Sequence, residues 1–458
     1  MKANKPILLY IPAVFIQELN KYLKENQPNF KYDIVYFYCV VHYILTQQMK
    51  IKNKNKNEYK NEYFQYISIN KKFLISVTVS NINDYIKILK NGEFIISDNH
   101  YIIGEKSTGY RINPQYLKGI DTVEIKTDSK LFNKIIKDQR KKTAHINRLE
   151  PFLKQMRDEF MNVDIDYYNA EKWILKQPDE IKRNFYMISL GLLKDKRFRY
   201  FDRNKTNNRL DTNLTNLKRE LKNFIIGNYV IIDLKNSQPF FLSMLLNTVI
   251  KQDNKIQDYN NYNTIPLCYQ LSYNNIIKTF GIKRIQAVSK IHQNQKKSFL
   301  VNLKNFNDSV ICGTLYDDFI KSYSENITRD DVKEIMFEVL FSKNEFFINY
   351  KKIIPYEKDK KIFSSVYPFI YESIKILKFK DNVLLPVFLQ KIESYIFIDC
   401  IAKELVNAGI VPLTVHDSVI VKAEHQEKTI EIMNRIFIEN FNVNPTFDIK
   451  HIHTSNPI

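Results

Sequence analysis

The chain has 458 residues, with 69 Lys and Arg against 50 Asp and Glu, a formal charge of +19. With 44% apolar and 26% charged residues, and rich in Phe and Tyr, it has the makeup of a folded protein of about three domains, which excludes general disorder. There is no uncharged apolar run of about 18 residues and no apolar leader with a small-residue cleavage site, so membrane-spanning and secreted readings drop out.

The first predicted helix covers 33–48, where Ile34, Phe37, Tyr38, Val41 and Leu45 recur at helical spacing. The lysine- and asparagine-rich stretch 50–61 has almost nothing to bury and reads as a solvated loop or frayed helix end. A short strand and a helix at 82–90 follow. Then come the runs Glu93-Phe-Ile-Ile-Ser and His100-Tyr-Ile-Ile-Gly around a turn at Asp98-Asn99, and finally Ser107-Thr-Gly-Tyr-Arg-Ile. A helix followed by a β-hairpin resembles a winged helix, whose helix and wing commonly touch DNA. A purely structural α+β module is the alternative.

From Ser129 to Leu193 the pattern is helical and mixed in charge, a lever over a duplex or a plain connector. Near residue 200 short apolar strands begin to alternate with long helices. The expected division is a winged-helix-like module at 1–125, a helical connector or thumb-like region at 126–200, and the chemistry at 201–458.

Two carboxylates stand at strand ends. Asn228-Tyr-Val-Ile-Ile-Asp233 is a β-branched strand delivering an Asp at its edge, ahead of a helix beginning near Ser237. In Ile410-Val-Pro-Leu-Thr-Val-His416-Asp417-Ser418-Val-Ile-Val-Lys422, two apolar runs flank His-Asp, as a hairpin with a carboxylate at its turn requires. Between them, Thr328 with Asp331 reads as a variant capping box opening a helix. On that helix Arg329, Lys333, Phe337 and Phe341 recur every four residues, a slowly winding ridge about 18 Å long. Two cations followed by two aromatic faces suit a triphosphate, then a sugar and base. Taken singly, each feature also reads as ordinary structure.

In this order the three segments resemble motifs A, B and C of family A DNA polymerases and the phage-type single-subunit RNA polymerases. Two further blocks fit. Asn208-Arg209-Leu-Asp-Thr-Asn213-Leu-Thr-Asn216-Leu resembles the primer-template segment before motif A. Leu389-Gln390-Lys-Ile-Glu393, opening a long helix that ends at Asn407-Ala-Gly409, resembles the helix leading into motif C. The likeness covers roughly residues 200–450. It implies a mostly helical α+β right hand, with a palm of antiparallel sheet and helical fingers and thumb.

It also implies roles. Asp233 and Asp417, helped by the carbonyl of Leu234, would hold two Mg²⁺ ions, with Mn²⁺ as the alternative, for attack of a primer 3′-hydroxyl on a dNTP. Arg329 and Lys333 would hold the outer phosphates, Lys333 would also protonate pyrophosphate, and Phe337 and Phe341 would face the sugar and base. Arg209, Asn213, Asn216, Gln390 and His416 would line the DNA primer-template. Glu393 reads equally well as a surface charge.

The departures concern sugar choice. Gln238 and Phe341 stand where the DNA polymerases carry a Glu and a Tyr that exclude a 2′-hydroxyl, so ribose is open as a substrate and only a weak preference for deoxynucleotides is expected. Ser418 replaces the second carboxylate of motif C, and Ser342 a glycine after motif B. No Asp-x-Glu pair precedes Arg209, so proofreading is not expected. The expected function is a DNA-directed DNA polymerase, resembling a replication protein of a phage, plasmid or other mobile element. The alternatives are a primase or RNA polymerase using NTPs, and a non-catalytic DNA-binding initiator. The excess positive charge suits a nucleic-acid partner, although AT-rich coding yields the same excess. Cys39, Cys268, Cys312 and Cys400 form no C-x-x-C pair, which fits a reducing cytoplasm without zinc or a disulfide framework.

Overall fold

The computed structural model describes residues 5–48, 66–69, 71–99, 107–143, 149–251, 271–294, 296–323, 326–348 and 350–453. The stretch 50–61, the β run at 100–104 and Cys268 lie outside these residues. The protein is mostly helical with small antiparallel sheets, an α+β chain. Among the described residues no helix is long and apolar enough to cross a membrane.

The N-terminal part gathers one core. Strand Ile7–Ile11 pairs with Asp121–Ile125, and Gly109–Ile112 lies between Ile67–Ser68 and Ile95–Ser97. Ile95–Ser97 takes Gly109–Ile112 as its partner, from the run beginning at Ser107. Helices Ile34–Gln48 and Ile82–Asn91 lie where their periodicity predicts and bury Phe37, Val41 and Ile44, and Ile82, Ile86 and Leu89.

Among the described residues the 129–193 region holds four helices, Lys130–Thr143, Pro151–Asn162, Tyr167–Leu175 and Glu180–Lys194. Pro151 opens Pro151–Asn162, and the Asp166 and Asp179 side chains cap Tyr167–Leu175 and Glu180–Lys194 by accepting from Asn169 and Lys182 backbone N–H groups. These helices divide between two cores. Leu131, Phe132, Phe185 and Ile188 join the N-terminal one, while Phe152, Met156, Phe160 and Ile174 pack with Leu413, Ile420 and Ile452 of the second sheet.

That sheet has four antiparallel strands in the order Leu413–Val415, Ser418–Lys422, Asn228–Leu234, Phe447–His453. It is covered on both faces. Val230, Ile232, Val419 and Val421 enter the largest core with Phe240, Leu245, Val332 and Phe437, and Ile231 and Ile420 face the core that holds Phe160. The helix containing Gln390 and Glu393 begins earlier than its motif suggests, at Leu384–Ser394. It passes through a π-helical stretch, Tyr395–Ala402, before Lys403–Asn407.

Arg199 joins the layers. It is 5% exposed and has no carboxylate partner among the described residues. Its guanidinium donates to the carbonyls of Leu193, Phe160, Met161 and Val163 at 2.8–3.0 Å, closing the C-terminal ends of two helices. Arg199→Ala removes a buried donor shared by four helix-end carbonyls and is expected to lower stability by about 3 kcal/mol, with Arg199→Lys recovering part of it. Urea denaturation measures this, and a loss below about 1 kcal/mol would contradict the bracing role.

Candidate functional site

Alternation along Asn228–Leu234 buries Val230, Ile232 and Leu234 on one face and turns Tyr229, Ile231 and Asp233 to the other. The register then decides what Asp233 meets. Ser418 lies opposite on one flanking strand and Asp448 on the other, and the Ser418 hydroxyl donates to Asp233 Oδ1. Asp417 arrives through the neighbouring hairpin. Val415 pairs with Ser418, which leaves His416 and Asp417 as a two-residue turn with His416 at φ 58°. The Asp417 carbonyl accepts from Leu234 N–H at 3.1 Å, tying the turn to the strand end.

Both acids are held protonated well above the usual carboxylate range. Burial and then the charge of Asp417 push Asp233 up to about 7, against the Ser418 hydrogen bond and the Arg219 guanidinium. Asp417 is raised by burial and then by Glu393, opposed by its own backbone N–H, the Arg209 guanidinium and the nearby Ser237 hydroxyl. Each is poised to gain from a nearby cation.

A helix with two positive side chains faces them. Thr328 Oγ1 accepts from Asp331 N–H at 3.2 Å and Asp331 Oδ2 accepts from Thr328 N–H at 2.8 Å, so the capping box opens Arg329–Phe341 as the sequence predicts. Val332, Ile335, Met336 and Val339 bury one face. The opposite ridge and the sheet edge enclose a cleft of about 520 Å³ that Asp233, Leu234, Gln238, Arg329, Lys333, Phe337, Phe341 and Asp417 all line. The Phe337 and Phe341 rings stack with centroids 4.7 Å apart. Arg329 donates to both Asp317 oxygens at 2.8–2.9 Å and lies over the Tyr316 ring, and Lys333 donates to Asp330 at 3.0 Å. These pairs are about half exposed or more, so each is weakly held, by only about 0–1 kcal/mol.

The five residues assigned to the primer-template lie outside the cleft lining. Arg209 donates to Glu393 through Nε and Nη2 at 2.8 Å, Asn213 accepts from Tyr200 N–H at 2.9 Å, Asn216 donates to the Tyr200 hydroxyl, and Gln390 accepts from Asn207 at 3.0 Å. His416 forms the turn beside Asp417. Glu393 is 1% exposed, not a surface charge, and also accepts from Ser237 at 3.2 Å and from Gln238. Because a carboxylate only accepts, Gln238 presents Nε2 to it, and Gln238 Oε1 is left buried without a partner among the described residues.

Sequence reasoning missed Arg219, Lys235, Asn236, Tyr316 and Asp448, which also line the cleft. Asn236, at φ 56° and 8% exposed, keeps Nδ2 without a partner among the described residues. Its position just before the Ser237 helix was the one available signal. Asp448 reaches the site only by strand pairing, which no local pattern encodes. The described residues contain no group of three or more His, Cys, Asp or Glu set to hold a metal ion, so a cation here would rest on the two aspartates, backbone and water.

No protein family matches the chain, and no curated protein matches it. Among solved structures it is similar to the POL domain of Pol1 from M. smegmatis in complex with DNA primer-template and dNTP, at 13% identity and a TM-score of 0.26. The match covers 69% of this chain and 63% of that one, so the chain spans less than two thirds of that domain's length. The functional reading therefore rests on this chain's own residues.

The confined acids make stability depend on pH. Unfolded aspartates titrate near 4 and folded Asp233 at about 7, so between these values the folded state binds more protons. Stability of the cation-free protein then falls as pH rises from about 4 to about 7 and levels off above. Asp417→Asn removes the repulsion. In EDTA at pH 8 it is expected to melt roughly 2 °C or more above wild type, with the difference shrinking toward pH 4. A difference that does not vary with pH would show that the two acids are not coupled.

Proposed function

We propose that the chain is a template-directed nucleotidyltransferase, a DNA-directed DNA polymerase without proofreading that extends a DNA primer from dNTPs. The observation that carries this reading is the meeting of Asp233, Asp417, Arg329, Lys333 and two stacked phenylalanines in one cleft, although they come from three distant segments. In this reading the Asn228–Leu234 sheet is the palm, Arg329–Phe341 belongs to the fingers, the helices before residue 200 act as a thumb-like region, and the N-terminal module contacts DNA as a winged helix does. A cytoplasmic setting within a mobile element suits such a protein.

The donor set fits magnesium. Crowded carboxylate oxygens with raised proton affinity are what a hard divalent ion neutralises while keeping several waters. Asp233 and Asp417, with the Leu234 carbonyl, would hold it, and it would supply activation of the primer hydroxyl and charge neutralisation at the leaving pyrophosphate. The chain's own groups do the rest. Ser418 orients Asp233 by its hydrogen bond. Arg329 and Lys333 exchange Asp317 and Asp330 for the phosphates, and Lys333 delivers a proton to the departing pyrophosphate. Phe337 and Phe341 offer ring faces to the sugar and base.

One observation favours a second reading, a primase or RNA polymerase using NTPs. Gln238 is neutral, its Oε1 is an acceptor with no partner among the described residues, and Phe341 has no hydroxyl, so nothing at this position repels ribose.

Purified protein with Mg²⁺ and primed DNA, offered dNTPs or NTPs, tests both readings. Asp233→Asn and Asp417→Asn are expected to reduce extension about a thousandfold or more. Lys333→Ala is expected to slow turnover by about 10²–10³ while DNA affinity stays within roughly threefold. Full extension by either aspartate variant overturns the reading, and primer-free products from NTPs alone transfer it to the second. Phe341→Tyr is expected to raise the ratio of dNTP to NTP use, and an unchanged ratio removes Phe341 from sugar choice.

A further inference from the structure

Directly after the cleft helix the chain forms a small hairpin from strands Phe346–Ile348 and Lys351–Ile353. Its base is fixed to the core. Lys360, 2% exposed, donates to the Lys343 carbonyl, and Asn344 donates to the Lys375 carbonyl at 2.8 Å. Phe346 and Ile353 pair and are half-buried. Phe347 is 65% exposed opposite the exposed Lys352, and Tyr350 at the tip is 102% exposed.

Tyr350 also has φ 63°, a left-handed conformation that glycine adopts freely and a bulky aromatic adopts only rarely and at a cost. A tyrosine here strains the backbone and leaves its ring fully exposed among the described residues, so neither folding nor solubility accounts for that ring. Lys343, Lys351 and Lys352 outnumber the single acid Glu345 in this segment. Exposed rings interleaved with ammonium groups are complementary to a strand that offers base faces and phosphates together. A second copy of the chain would bring its own charge of +19 to the same patch.

We propose that this hairpin is a stacking platform for single-stranded nucleic acid, with Phe347 and Tyr350 taking bases and Lys351 and Lys352 the phosphates. Naming that strand the template rests on the polymerase reading, because the hairpin continues the helix whose Phe341 lines the cleft. The binding itself does not require catalysis.

The test is fluorescence anisotropy of a labelled oligodeoxythymidylate of about 20 nucleotides with the full chain, beside thermal melting and light scattering. Tyr350→Gly is expected to weaken binding about fivefold to tenfold, and the Phe347→Ala/Tyr350→Gly double variant further. Melting temperature is expected to stay level or rise, because glycine relieves the positive φ. Tyr350→Trp keeps a ring and is expected to retain affinity. Unchanged affinity in the glycine and double variants, or a wild type that binds no oligonucleotide, overturns the proposal. So does self-association of wild type that Tyr350→Gly abolishes, which would make a second copy the occupant. If the variants lose affinity while wild type extends no primer, the polymerase reading fails and the platform stands. If they bind as wild type and extension is intact, the reverse holds.

Discussion

Two carboxylates cannot both be ionised in a part-buried corner unless positive charge compensates them. Asp233 and Asp417 are brought there by backbone pairing, since the strand end and the hairpin turn are joined through Leu234 N–H and the Asp417 carbonyl. The fold therefore holds an unfavourable electrostatic arrangement in place, and hydrophobic burial on both faces of the sheet sustains it. Packing sets the geometry, and the geometry raises the proton affinity of the pair.

A third acid works in the opposite sense. Glu393 is more deeply buried than either aspartate, yet Arg209, Ser237 and Gln238 all donate to it. Fully paired, it ties the segment before the strand ending at Asp233 to the helix before the hairpin that carries Asp417, and it fixes the orientation of Gln238 in the cleft. The cleft cations behave differently again. Arg329 and Lys333 stay half exposed in weak pairs, where exchange for another anion is cheap. Behind them Lys378 donates to the Val339 carbonyl near the end of the same helix, and burial followed by the charge of Lys360 pushes its ammonium down to about 7. One helix thus has mobile charge at its start and a buried anchor at its end.

The layers do not follow the order of the chain. Helices Pro151–Asn162 and Tyr167–Leu175 pack on the four-stranded sheet, whereas parts of Lys130–Thr143 and Glu180–Lys194 complete the N-terminal core. The helical region between the two ends of the protein is shared between them, and Arg199 braces the place where they meet.

Local chemistry was legible in the sequence. The cap at Thr328 and Asp331, the four-residue ridge from Arg329 to Phe341, the hairpin turn at His416 and Asp417 and the strand ending at Asp233 all depend on neighbours within a few residues, so spacing alone reveals them. What depends on partners far along the chain was not. Glu393 looked like a surface charge because its donors lie 155 to 184 positions away. Asp448 entered the cleft through register with Asp233, and Arg209, Asn213, Asn216 and Gln390 turned out to be engaged with the protein itself. Periodicity records which way a side chain faces on its own element, while burial, ion pairing and the raised proton affinity of the two aspartates arise only when separate elements exclude water between them.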